Sequence, residues 1–306
     1  MSTQAAASPP KGAMPERILQ RLDWTVIRRL DGLLQGDYRS LFYGYGVDFA
    51  DLREYQPGDD IRYIDWNVTA RMNTPYIRQY VQEREIVAWF LLDLTPSMDY
   101  GTEETQRIKR MVLIDFVATL ARLLTRNGNR VGAIFYGNGI ERMIPARSGR
   151  IQVLRLINDL LKQPRMPRAP FTNLAPLLEG ALHAIKKRSL VFIVSDFISA
   201  PGWERPLNLL SRRHEVLAIR LWDRREVELP DAGPIIMEDA ETGEQLYVDT
   251  HDASFRRRFQ EATQRREAAL SEAFRRAHVD ALSLSTEEDL VRAIVRFDTL
   301  RRQRRK

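Results

Sequence analysis

A carboxylate followed by hydroxyls two and four positions later, Asp93-Leu-Thr95-Pro-Ser97, closes the apolar run of residues 86–92. Where a buried strand gives way to a loop, such a segment aims several oxygen donors into one space, and the carboxyl ends of strands are where open α/β sheets bind ligands. Two later positions carry the same chemistry. Thr172 stands in Phe171-Thr-Asn173-Leu174, after prolines 164, 167 and 170, and Asp196 ends another apolar run in Val194-Ser-Asp. Asp93, Thr95, Ser97, Thr172 and Asp196 form an all-oxygen set without imidazole or thiolate, which suits Mg²⁺ or Mn²⁺ and disfavours zinc or copper. Each position also admits a local role. Thr95 or Ser97 could cap a following helix, Thr172 or Asn173 could cap the next, and the aspartates could bond loop backbone.

Other chemistries lack their residues. The turn at Asp93 has no second carboxylate of an Asp-x-Asp phosphotransferase pattern. No phosphate loop or Gly-x-Ser-x-Gly elbow occurs, and Gly44-x-Gly46 and Gly137-x-Gly139 are too short for a dinucleotide loop. The histidines at 183, 214, 251 and 278 lie far apart. Zero cysteines exclude a disulfide framework, a thiolate-held metal and a catalytic thiol, and fit a reducing, cytoplasmic setting. A metal-dependent hydrolase would need a general base, for which Asp99, Glu104 and Asp196 are the candidates. No acid–base pair with suitable spacing appears, so the expectation is a non-enzymatic module; a metal-free scaffold with a degenerate site is the other alternative.

The elements that must hold these residues follow from periodicity. Strand-like runs at 86–93, 131–135, 140–145, 190–196, 216–222 and 279–284 alternate with helical stretches at 106–124, 151–161, 174–185, 206–213 and 252–277, which predicts an α/β fold with a mostly parallel sheet covered on both faces. A hairpin is expected from 235–238 and 245–248, turning at Thr242-Gly243, and Ser285-x-x-Glu288 reads as a capping box opening the last helix. Ahead of the sheet, residues 1–14 read as a disordered lead and 15–85 as a helix followed by a polar, β-rich block; 86–285 form the main domain and 286–306 a basic C-terminal helix. The seven-residue apolar run is far short of the roughly 20 needed for a membrane span. The net charge of +6 is local: residues 255–306 carry 14 basic and 8 acidic side chains, so 47 less 14 and 41 less 8 leave 33 of each elsewhere. A surplus confined to one end, without interleaved aromatics, makes nucleic acid an unfavoured partner.

The Asp93-x-Thr95-x-Ser97, Thr172, Asp196 pattern resembles the metal-ion-dependent adhesion site (MIDAS) of von Willebrand factor A-type domains, with Thr95 where the family usually has Ser. The resemblance implies a Rossmann-like sheet, a bound Mg²⁺ or Mn²⁺, and a coordination position open to a carboxylate of a client protein. A second match lies upstream. Gly44-Tyr-Gly46-Val-Asp48-Phe-Ala-Asp51-Leu-Arg53-Glu54-Tyr55-Gln-Pro57-Gly58-Asp59-Asp60-Ile-Arg62-Tyr-Ile-Asp65-Trp66, continuing to Ala70-Arg71, resembles the signature of the bacterial domain-of-unknown-function 58 (DUF58) family. That family joins such a block to a von Willebrand factor A-like domain, over roughly residues 37–285 here. Its members are similar in being encoded beside MoxR-type AAA+ ATPases, which implies an ATPase partner and a role in protein remodelling or maturation. The block's charges are expected to form an ion network fastening it to the sheet, with Tyr55 and Trp66 as anchors, or to help present the ion site.

Overall fold

Apolar side chains at helical spacing fold the first described segment into α1 (Ala13–Leu22) and α2 (Arg28–Leu33), joined by one π turn (Asp23–Ile27). The computed structural model describes residues 13–33, 51–72, 74–79, 86–102, 107–166, 168–169 and 171–304. Leu19, Leu22, Ile27 and Leu30 form the buried stripe of this helix pair. Ion pairs fix its flank: Arg21 to Asp115 at 2.6 Å, Asp23 to Arg122 at 3.2 Å and Glu16 to Arg150 at 2.9 Å.

Residues 42–85 cluster as a unit of their own. Its described part holds β1 (Asp51–Glu54), a 3₁₀ turn (Ile61–Tyr63), α3 (Trp66–Met72) and β2 (Tyr76–Gln79), with β1 and β2 antiparallel and Arg53 opposite Ile77. Several signature charges pair inside the block. Arg53 meets Asp59 at 2.6 Å, and Arg62 meets Asp60 at 2.6 Å and holds its carboxyl down at about 2. Asp65 accepts the N–H groups of Asn67 and Val68 at 3.0 and 3.2 Å, capping α3. Trp66, expected as an anchor, is exposed. Residues 37–50 of the expected block lie outside the described residues.

The rest of the chain builds the sheet. Its elements are β3 (Val87–Asp93), α4 (Lys109–Arg126), β4 (Arg130–Tyr136), β5 (Ile140–Arg147), α5 (Arg150–Lys162), α6 (Ala175–Ala184), β6 (Leu190–Ser195), α7 (Glu204–Arg213), β7 (Glu215–Trp222), β8 (Pro234–Glu238), β9 (Gln245–Asp249), α8 (Ala253–Arg276), β10 (Asp280–Ser285) and α9 (Leu290–Arg304). Six strands run in the order β10-β7-β6-β3-β4-β5, all parallel except β5. Three residues, 137–139, are too few for a crossover, so β5 turns back on β4 and presents a largely exposed edge. Helices cover both faces. On one, Phe116 of α4 meets Phe192 edge-on at 6.2 Å, and Phe192 stacks on Phe90 at 5.1 Å. On the other, Leu91, Val191, Ile193 and Ala218 pack with Leu177, Leu207, Leu270 and Phe274 of α6, α7 and α8.

The expected capping box is corrected. Ser285 is the last residue of β10, where its Oγ accepts the Glu287 N–H at 3.2 Å, and α9 starts only at Leu290. Asp289 takes the capping role, accepting the Arg292 N–H at 3.0 Å. The capping box that does form, Asp223 with Glu226, lies after β7. Among the described residues no helix is long and apolar enough to cross a membrane.

Candidate metal centre

Strand β3 is the turning point of the sheet: the chain moves outward from it to β4 and later returns to its other side as β6. Such a point leaves a crevice at the carboxyl ends of the two diverging strands. The register pairs Leu92 with Val194, so Asp93 and Ser195 finish side by side. Both side chains are fully buried, and Ser195 Oγ donates to Asp93 Oδ2 at 2.6 Å. The other carboxylate oxygen, Oδ1, accepts the Thr95 hydroxyl at 2.7 Å and the Thr95 N–H at 3.1 Å. Thr95 therefore does not cap the single 3₁₀ turn that follows (Pro96–Asp99); its hydroxyl faces inward, 3.2 Å from Ser97 Oγ.

Thr172 arrives from the loop before α6. Asn173 supplies the helix-start bond, its Oδ1 accepting the Ala175 N–H at 3.0 Å, which leaves the buried Thr172 hydroxyl to donate to Glu241 Oε1 at 2.7 Å. The Ser97 N–H reaches that same oxygen at 3.2 Å. Tyr136 closes this side by donating its hydroxyl to the Asn173 carbonyl at 2.5 Å.

Asp196 follows β6 in a tight turn. Its Oδ1 accepts the Ile198 N–H at 2.9 Å, and Phe197 between them takes φ of 57°, a left-handed conformation that costs a side-chain-bearing residue free energy. The Phe197 ring offsets that cost by packing on Phe274 at 5.0 Å and Trp203 at 5.7 Å. The second Asp196 oxygen belongs to Lys109, whose ammonium lies 2.7 Å away and 2.5 Å from Glu226 Oε1. Lys109 is fully buried at the start of α4. Its neighbour Arg110 donates to the Leu94 carbonyl at 3.1 Å and pairs with Asp99 at 2.7 Å, fixing the loop that carries Thr95 and Ser97. The polar chain continues across the strand ends: Glu226 Oε2 accepts the Asp223 N–H at 2.9 Å, and Asp223 Oδ2 accepts the Thr286 hydroxyl at 2.7 Å.

The five expected residues thus occupy one buried polar region. Asp93, Thr95 and Ser97 are linked directly, Thr172 joins through Glu241, and Asp196 sits at the Lys109 end. Electrostatics divide the two aspartates. Burial, and then the charge of Asp196, push the Asp93 carboxyl up to about 6, whereas Lys109 holds Asp196 below the usual carboxylate range despite its burial. Asp93, Asp196, Glu226 and Glu241 bring four carboxylates to a region where Lys109 is the buried ammonium, and buried charge needs compensation. Among the described residues no three His, Cys, Asp or Glu side chains gather closely enough to hold a metal by themselves. An ion here would depend on the hydroxyls as well as the carboxylates, the hard donor set that Mg²⁺ accepts.

Sequence reasoning missed Lys109, Ser195, Glu226 and Glu241. Two consecutive cations, Lys109 and Arg110, open α4 against its dipole, and that was a legible signal that carboxylates await them. Glu241, in a polar turn, carried none. Of the expected general bases, Asp99 is paired with Arg110 and Asp196 with Lys109, while Glu104 lies outside the described residues. An open depression lined by Trp222, Ser283, Glu288 and Arg296 shares no side chain with the metal centre.

This is a mostly parallel α/β protein with a buried carboxylate–hydroxyl cluster at the switch point of its sheet. A family model described as a protein of unknown function, DUF58, matches residues 51–269. The chain belongs to that family. An uncharacterized protein of Mycobacterium tuberculosis is 35% identical over 285 residues, covering 93% of this chain and 89% of its own length. Among solved structures, an aerotolerance-related membrane protein from Bacteroides fragilis aligns with a TM-score of 0.43 at 14% identity, covering 71% of this chain and 99% of that one. The protein BatB from Bacteroides thetaiotaomicron aligns with a TM-score of 0.42 at 10% identity, over 72% and 98% of the two chains.

Proposed function

We propose that this protein is a non-enzymatic, von Willebrand factor A-like interaction module whose site works with a divalent cation. The observation that carries the reading is the inward-facing oxygen set at the ends of β3 and β6, where Thr95, Ser97 and Thr172 gather beside an Asp93 that lacks a cationic partner of its own. Asp93, Thr95, Ser97 and Thr172 would hold Mg²⁺ or Mn²⁺, with Asp196 contributing through its charge because its oxygens serve Lys109 and Ile198. A bound ion would supply a Lewis-acidic position for a carboxylate of a client protein. Arg110 keeps the Thr95–Ser97 loop in place, and the Phe197 turn fixes Asp196. The family resemblance points to a MoxR-type ATPase as the partner and to protein remodelling or maturation as the setting.

The test is binding of the full chain to the ATPase encoded beside it, with Mg²⁺, with EDTA, and with Asp93→Ala. Cation dependence and loss in the folded variant are expected; equal binding in all three sinks the reading. A metal-free scaffold is the second reading, favoured by Lys109, whose buried ammonium already neutralises Asp196. Calorimetry with Mg²⁺ and Mn²⁺ separates the two.

A further inference from the structure

The turn between β8 and β9 delivers a carboxylate into the cluster from 69 residues beyond Thr172. Glu241 is only 8% exposed, and its Oε1 is held by the Thr172 hydroxyl and the Ser97 N–H at 2.7 and 3.2 Å. Its other oxygen, Oε2, is buried with no hydrogen-bond partner among the described residues. The turn is built to hold this placement. Asp239 Oδ1 accepts the N–H groups of Glu241 and Thr242 at 3.0 and 2.7 Å, and Gly243 adopts φ of +72° so that its N–H reaches the Asp239 carbonyl at 2.8 Å. The Glu241 carbonyl is tied in turn to the Ala169 N–H at 2.9 Å.

A carboxylate oxygen shut away from water and from donors calls for a positive partner or a proton. The buried ammonium of Lys109 is committed to Asp196 and Glu226. The groups that do face Glu241 are Thr172 and the Ser97 backbone, and the hydroxyls of Ser97 and Thr172 belong to the hard-cation donor set. We propose that Glu241 is a ligand of the divalent cation supplied by the chain itself, and that a client carboxylate has to displace it, so that the β8–β9 turn gates the site. This rests on the cation reading above.

The probe is Mn²⁺ alone with the full chain, its affinity followed by electron paramagnetic resonance and its bound waters by water-proton relaxation. Glu241→Gln keeps the shape and the acceptor oxygen but removes the charge; Mn²⁺ affinity is expected to fall about tenfold, roughly 1.4 kcal/mol, with higher relaxivity as water replaces the carboxylate. Glu241→Asp, with a shorter reach, is expected between the two, and urea midpoints check that each variant folds. Unchanged affinity and relaxivity in Glu241→Gln, while Asp93→Asn abolishes Mn²⁺ binding, overturns the role of Glu241 and leaves the cation reading standing. No Mn²⁺ binding by the parent chain overturns both.

Discussion

Replacing Lys109 by Met tests the electrostatics of the site most directly. The substitution keeps a long apolar stem in a fully buried position and deletes an ammonium lying 2.7 Å from Asp196 and 2.5 Å from Glu226. Removing one partner of a buried ion pair costs about 3–5 kcal/mol, because the orphaned charge stays in low dielectric. Here two carboxylates are orphaned, but each keeps a backbone donor: Ile198 for Asp196 and Asp223 for Glu226, both at 2.9 Å. Glu226 also retains some solvent contact. A loss of about 4 kcal/mol at pH 7 in EDTA is therefore expected, a large share of the roughly 5–15 kcal/mol that holds such a fold. Urea unfolding followed by circular dichroism measures it, with the slope in urea unchanged if the folded state is intact. The loss is expected to shrink toward pH 5, because an unpaired buried carboxylate takes up a proton. Added Mg²⁺ is expected to restore more stability to the variant than to the parent, since the ion then faces an Asp196 free of its competitor. A variant that loses less than about 1 kcal/mol with a native spectrum refutes this account of the buried charges.

Two further outcomes follow from the same geometry. In metal-free protein, Asp93 has a folded-state pKa of about 6, above its unfolded value, so the native state binds more protons in between. Stability is then expected to rise by about 3 kcal/mol, at ~1.4 kcal/mol per pH unit, as pH falls from about 6 toward 4. Asp196, held low by Lys109, keeps its contribution through that window and loses it only further down. Urea midpoints across pH in EDTA measure the net slope, and a midpoint that falls steadily over this interval contradicts the assignment. Phe274→Ala removes the ring on which Phe197 rests and is expected to cost about 3–5 kcal/mol. It should also weaken Mn²⁺ binding by loosening the turn at Asp196, so destabilisation with undiminished affinity separates packing from site geometry.

The sheet was legible because its signals are periodic. Runs such as 190–194 are apolar at every position, as a strand buried on both faces requires, and the helices between them carry apolar stripes. The antiparallel turn of β5 was less legible, since its pattern resembles any other short strand and only the brevity of 137–139 betrays it. The Ser285 capping box failed because β10 uses Ser285 in its own ladder opposite Trp222, and tertiary pairing overrode a local motif. The centre divides in the same way. Asp93, Thr95, Ser97 and Asp196 sit within a few residues of strand ends, so one-dimensional spacing located them. Glu241 and Lys109 reach the centre only through three-dimensional closure of the fold, 144 residues from Ser97 and 87 from Asp196.

That difference bears on how the centre works. The motif residues alone make a negatively charged, hydroxyl-lined region that any hard cation could enter. The two contributions invisible in the motif act on it in opposite directions. Lys109 brings positive charge to Asp196 and weakens the demand for an ion, whereas Glu241 brings negative charge to Ser97 and Thr172 and strengthens it. Because Lys109 is locked between two carboxylates inside the core, its influence is fixed. Glu241 hangs on a turn whose flanking strands pair only with each other, so it is the adjustable one. A client that moves this turn would change the charge at the hydroxyls without disturbing the six-stranded sheet, and this makes the β8–β9 hairpin the part of the molecule where binding and cation occupancy can be coupled.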